Sequence, residues 1–180
     1  LYLSRKNGPR PHPRFYRFFS FLLNIIRSFP FMLFVVAMIP ITRKIVGTSL
    51  GTVASMIPLS IIGVTVFARQ VERSLLEVPK EIVHTATSLG ASTWQLVIHF
   101  LYVEALPSLI LSFSATLISL ISYSTVLGVV GGGGIGNFAI IYGYQRYQYD
   151  LMYAAIILMI MLVQMIHFTG QKISSYLDRR

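Results

Sequence analysis

Residues 105–145 read ALPSLILSFSATLISLISYSTVLGVVGGGGIGNFAIIYGYQ, 41 residues between Glu104 and Arg146 without a charged side chain. A soluble domain carries roughly one charged residue in four, so this run does not belong to a water-exposed fold. A helix that crosses a membrane needs ~20 mostly apolar residues to cover ~30 Å of hydrocarbon. The run is therefore too long for one helix. Leu106 to about Val130 reads as a span. Gly131-Gly132-Gly133-Gly134-Ile135-Gly136 comes next, a stretch that no isolated helix favours. Tyr142, Tyr144, Tyr147 and Tyr149 then cluster before Asp150, and tyrosines gather at membrane–water interfaces. Residues 131–150 are expected to form a loop or re-entrant segment on one side of the membrane.

Two more charge-free runs flank this one. Residues 45–68 lie between Lys44 and Arg69, and residues 151–171 lie between Asp150 and Lys172. Each is long enough to span. Residues 28–42 are also uncharged but shorter, with Asn24 and Arg27 just before them. A helix starting near Phe18 would place Arg27 inside the span, where it must snorkel or face protein. Pro30 and Pro40 are expected kink points. The reading is an all-α transmembrane bundle with four spans, forming a single domain over residues 1–180. Across the whole chain 54% of residues are hydrophobic and 12% charged, which excludes a soluble enzyme or a disordered tail.

The net charge of +9 would suggest nucleic-acid binding in a soluble protein. Here it maps onto loops, and no nucleic acid is expected as a partner. With four spans, the N-terminal stretch, residues 69–104 and the C-terminal tail share one side. That side holds 12 of the 15 Lys and Arg, leaving Arg43, Lys44 and Arg146 on the other. The positive-inside rule makes the basic side cytoplasmic. The first 20 residues are basic, aromatic and Pro-rich rather than a signal peptide; they read as a chain that begins inside a loop.

Residues 69–104 are long for a connection within a helical bundle, and they are patterned. Pro79 can open a helix, Ile82, Ala86 and Leu89 repeat at helical spacing, and Gly90 offers a stop. Ser92-Thr93-Trp94-Gln95 matches a capping box for a second helix, whose apolar face would carry Trp94, Val97 and Leu101. Pro107 stands where the next span begins. Such a helix pair could lie on lipid headgroups, or it could dock a cytoplasmic partner by burying its apolar stripe in a groove.

This region resembles the cytoplasmic loop of binding-protein-dependent ABC importer permeases, whose pattern is Glu-Ala-Ala, three residues, Gly. His84-Thr85-Ala86-Thr87-Ser88-Leu89-Gly90 has that spacing, followed by Ala91-Ser92. Leu75-Leu76-Glu77-Val78-Pro79 through Glu104-Ala105-Leu106-Pro107 is similar to the methionine-importer permeases. So are Arg27-Ser28-Phe29-Pro30-Phe31, Ile39-Pro40-Ile41-Thr42-Arg43, Val46-Gly47-Thr48-Ser49, Ala68-Arg69-Gln70-Val71-Glu72 and Gly133-Gly134-Ile135-Gly136. The resemblance covers nearly the whole chain. Three positions depart from it: His84 replaces the family's Glu, Thr85 its first Ala, and Val103 the Pro usually found before Glu104. These permeases have five spans, with one helix before the basic loop. The expectation is a fragment or truncated reading frame that lacks this first helix.

The resemblance implies a permease in the bacterial inner membrane, embedded in the lipid bilayer and working as a homodimer. Cytoplasmic ATP-binding subunits would dock on the loop through His84, Thr85, Ala86, Gly90, Ala91 and Ser92. A periplasmic or lipid-anchored substrate-binding protein would deliver an amino acid, methionine above all, near residues 131–150. The family's gate falls on Tyr123, Ser124, Thr125 and Val126, which would line the translocation pathway. Other readings are a permease for another amino acid or small solute, or a decayed or scaffolding membrane protein without ATPase coupling.

Side-chain chemistry points the same way. No G-x-x-x-x-G-K-[ST] occurs, so ATP must be handled by a partner chain. Gly131, Gly133 and Gly136 match the spacing of a dinucleotide fingerprint, but a span precedes them where a strand would be required. There is no Cys, and His12, His84, His99 and His167 form no H-x-x-x-H pair, so neither a metal nor another cofactor is expected. No catalytic residue is expected either, since no nucleophile motif is present. Ser112, Thr116, Ser119 and Ser122 form a polar stripe that could serve helix packing or a pathway; Tyr123 and Ser124, next to the glycines, are better placed for the pathway. No Asp, Glu or Lys lies in the middle of the last three spans, which argues against an ion-coupled carrier.

Overall fold

A computed structural model of the chain describes residues 12–128 and 131–178. The basic stretch 1–11, the Val129-Val130 end of the third span and the terminal Arg179-Arg180 lie outside the described residues. Eight α-helices are described, and no strand is present among the described residues: α1 (Pro13–Ser28), α2 (Phe31–Val46), α3 (Thr52–Leu76), α4 (Lys80–Ser88), α5 (Thr93–Gln95), α6 (Tyr102–Leu127), α7 (Gly134–Phe138) and α8 (Tyr149–Leu177). Two π-helical segments, Leu96–Leu101 and Ala139–Tyr144, continue α5 and α7.

The charge-free runs become the long helices. Thr52–Leu76, Thr93–Leu127 and Tyr149–Leu177 are each long and apolar enough to cross a membrane. α6 runs antiparallel to α3. Their contacts descend in register from Gln70–Thr116 and Ser74–Ser112 hydrogen bonds at one end to Gly63 against Leu120 in the middle. α8 returns antiparallel to α6, with Ser174 Oγ donating to the Pro107 carbonyl at 3.0 Å and Gly170 lying on Ser114. Small and hydroxylated residues at these crossings let the backbones approach where apolar burial gives no driving force. Ser112 and Thr116 are thus packing residues.

The first span differs from its sequence reading. Instead of one kinked helix, α1 and α2 are separate helices bent by 109°. Phe29 adopts an extended conformation (φ −73, ψ 131), as does Pro30 (φ −56, ψ 128). Proline disfavours the helical region for the residue before it and has no N–H to offer. Two consecutive extended residues turn a kink into a break. Pro40, by contrast, remains inside α2.

The loop also differs from a pair of short helices. Only α4 is separate. The helix capped by Ser92 continues through the π segment into α6, so that Thr93–Leu127 is one 35-residue helix with Pro107 inside it. Pro79 is the residue that caps α4 rather than its first helical residue. Trp94 is exposed and does not share the buried face; Leu96, Leu101 and Ala105 do. The extra residue per turn of a π segment rotates the residues beyond it to a new facing, which straight 3.6-residue periodicity cannot anticipate.

Candidate functional site

α4 is held against its own neighbours. Val78, Ala86, Leu96, Leu101 and Ala105 form one buried cluster, flanked by Ile82, Val83, Val97 and Phe100. Ala86 has 0% exposure. The apolar stripe anticipated for a partner or for lipid is therefore largely spent inside the chain. Leu89, read as part of that stripe, points away from it and is 73% exposed, as Trp94 is 71% exposed. His84, Thr85, Ser88 and Leu89 face outward with Trp94.

The turn after α4 is fixed by backbone geometry. Gly90 has φ +73, its N–H bonds the Thr87 carbonyl at 3.0 Å, and the Ala91 N–H bonds the Ala86 carbonyl at 3.0 Å. This is a Schellman closure, and it requires the left-handed conformation that glycine adopts without steric cost. Two residues on, Ser92 and Gln95 form the anticipated capping box: Ser92 N–H donates to Gln95 Oε1 at 2.8 Å, and Gln95 N–H to Ser92 Oγ at 3.3 Å. One motif ends α4 and the other starts α5, so the corner is rigid on both sides. Beside it, Glu81, Ile82, Thr85, His99, Phe100, Val103 and Glu104 line a groove of about 380 Å³. Thr85 and Val103, two of the positions that depart from the importer pattern, both border it.

The four pathway candidates sit on the last turns of α6. The Tyr123 ring lies 4.7 Å from the Phe31 ring of α2. Ser124 Oγ donates to the Ile121 carbonyl and Thr125 Oγ1 to the Ser122 carbonyl, both at 2.7 Å. Thr125 packs on Gly136, where a Cβ would fall 2.6 Å from the Thr125 Cα. Val126 is half-buried. The Gly-rich stretch is more ordered than a loop: Gly131, Gly133 and Gly134 have positive φ, after which α7 and its π extension fold back along α6 and α8.

Sequence reasoning missed a polar network at the other end of the bundle. Arg69 donates to Glu72 at 2.6 Å, to the Ser20 carbonyl at 2.8 Å and to Asn24 Oδ1 at 2.9 Å, joining α1 to α3. Ser108 Oγ donates to Glu77 Oε2 at 2.8 Å and lies 3.0 Å from Ser74 Oγ, which is also bonded to Ser112 Oγ. Among the described residues no cluster of His, Cys, Asp or Glu could hold a metal ion.

Residues 8–180 match the family model of the binding-protein-dependent transport system inner membrane component. The chain belongs to this family. The permease is 41% identical over 180 residues to a probable D-methionine transport system permease protein, MetI, of Vibrio cholerae, covering 100% of this chain and 80% of that one. It is 35% identical over 159 residues to the methionine import system permease protein MetP of Bacillus subtilis, covering 88% of this chain and 72% of that one. Among solved structures, the permease fold matches an inward-facing crystal form of the MetNI methionine ABC transporter. The TM-score is 0.94 at 39% identity, over 99% of this chain and 82% of that chain.

Proposed function

We propose that this permease is the membrane-spanning subunit of an ATP-driven methionine importer, paired as a homodimer and powered by separate ATP-binding subunits. The single observation that carries the reading is the rigid corner at Gly90 on a chain of this family. α4 spends its apolar stripe on α6 and turns His84, Thr85, Ser88, Leu89 and Trp94 outward. In this reading Ala86 positions the docking face, while Gly90, Ala91 and Ser92 shape it. ATP binding and hydrolysis in the partner would change the corner's position. The continuous helix Thr93–Leu127 would carry that displacement to Tyr123, Ser124, Thr125 and Val126, opening the pathway to alternate sides. The partner must bind one state more tightly than the other by a few kcal/mol for such a shift. A substrate-binding protein would deliver methionine beside residues 131–150.

The test is uptake of labelled methionine into proteoliposomes holding the permease, its ATPase and its binding protein. ATP-dependent accumulation that unlabelled methionine competes away supports the reading. A complex that assembles and hydrolyses ATP but accumulates another solute overturns the substrate assignment. A folded permease that retains no ATPase overturns the coupling.

A further inference from the structure

α1 carries two opposite faces. Phe15, Phe18, Leu22 and Ile25 recur at alternating spacings of three and four residues, and so do Arg17, Ser20, Asn24 and Arg27 on the other side of the helix. In a water-soluble bundle the apolar face would pack inward. Here the polar face meets the protein: Arg69 of α3 donates to the Ser20 carbonyl at 2.8 Å and to Asn24 Oδ1 at 2.9 Å. The four apolar side chains are all exposed, and no residue of α1 is buried.

The arginines decide how such a helix sits in a membrane. Arg14, Arg17 and Arg27 lie on α1, with no Asp or Glu among its 16 residues. Arg14 and Arg27 are about 20 Å apart along the axis. An α1 that crossed the bilayer would carry one of them into hydrocarbon, where a lone arginine is costly. An α1 lying in the membrane plane keeps all three at one depth, and the 109° turn sets it nearly in that plane when α2 crosses along the normal. Length agrees. The 16 residues of α2 reach about 24 Å of the ~30 Å of hydrocarbon, and the remainder matches the ~5–10 Å to which an amphipathic helix sinks. We propose that α1 is an interfacial helix of the cytoplasmic leaflet, with Phe15, Phe18, Leu22 and Ile25 in the acyl chains and its arginines on anionic phospholipid headgroups. The leaflet is the cytoplasmic one because the basic stretch that begins at Arg69 lies on that side. By holding the polar face, Arg69 keeps the apolar face turned to lipid.

The chain has no Cys, so single nitroxide labels can be placed through Phe18→Cys, Leu22→Cys and Ile25→Cys. The full chain is reconstituted into vesicles of phosphatidylethanolamine and phosphatidylglycerol, and the depth of each label is read from its relaxation by oxygen against a water-soluble nickel chelate. The expected result is three oxygen-accessible labels whose depths agree to within ~3 Å, about half a helical turn. A steady change of ~10 Å in depth from the Phe18→Cys label to the Ile25→Cys label marks a crossing helix and overturns the proposal. Labels shielded from oxygen overturn it too, because a second copy or another helix then covers the face. For the headgroups, Arg14→Gln combined with Arg17→Gln should lower the phosphatidylglycerol retained by the purified permease about twofold or more relative to phosphatidylethanolamine. Unchanged retention overturns the anionic contact.

Discussion

Gly170 of α8 lies so close to Ser114 of α6 that a Cβ at Gly170 would fall 2.8 Å from the Ser114 Cβ and nearer still to its hydroxyl. Ser114 is itself buried, with its Oγ bonded to the Ile110 carbonyl at 3.1 Å. Neither residue has room to yield. Gly170→Ala should therefore cost about 1–3 kcal/mol, the usual penalty for overpacking, and lower the thermal unfolding midpoint of the purified permease in detergent. Thr169→Ala, at an exposed neighbour, should leave the midpoint nearly unchanged. Equal midpoints for Gly170→Ala and wild type would show that the two helices can separate without loss.

Arg69→Met should be far worse than its loss of contacts suggests, because it leaves Glu72 charged, buried and uncompensated. Breaking a buried pair from one side costs about 3–5 kcal/mol, whereas replacing both partners is much milder. A double-mutant cycle with Glu72→Leu, read by unfolding in detergent, should show a large favourable coupling. Additive effects would mean the two charges act independently.

Gly90→Ala should fold, because a Cβ there meets nothing within 4 Å. It should carry about 1–2 kcal/mol of backbone strain from the left-handed conformation. Gly90→Pro fixes φ near −65° and removes the N–H that bonds Thr87. Co-purification with the ATPase should persist in the first variant and disappear in the second. Retention by Gly90→Pro would mean the corner is not the attachment.

Leu89→Ala combined with Trp94→Ala should separate folding from coupling. Both side chains are more than 70% exposed, at 73% and 71%, so the unfolding midpoint should hold to within about 0.5 kcal/mol. ATPase retention should fall at least tenfold. Unchanged retention would place the docking energy elsewhere on α4.

Much of this architecture could be read from charge alone. Lys44, Arg69, Glu104, Arg146, Asp150 and Lys172 bracket the apolar runs, and three of the spans follow from their spacing. The capping box at Ser92 and the stop at Gly90 were legible because each is a local backbone requirement with few residue solutions. The break at Phe29-Pro30 was visible as a proline but not as a 109° turn. How far a chain bends depends on what each half packs against. The facing of Trp94 was hidden for a related reason: the π segment Leu96–Leu101 changes the register between corner and span, while Leu89 is the residue that ends α4, where the helical register stops. The Arg69 network joins residues 45 and 49 apart, and no local pattern announces such a pairing.

The helix Thr93–Leu127 is about 50 Å long at 1.5 Å per residue, against ~30 Å of hydrocarbon. It must stand some 20 Å proud of the membrane interior. Near its middle, the Pro107 carbonyl is gripped by Ser174 of the neighbouring span. In the cycle proposed above, that grip would serve as a fulcrum. Trp94 stands ~20 Å to one side of it and Leu127 ~30 Å to the other. Pivoting there as one body, the helix would return a sideways push at the Trp94 end to the Leu127 end reversed in direction and about one and a half times as large. In the proposed cycle such a see-saw would invert and magnify the stroke without a relay of rearranging side chains between the two ends.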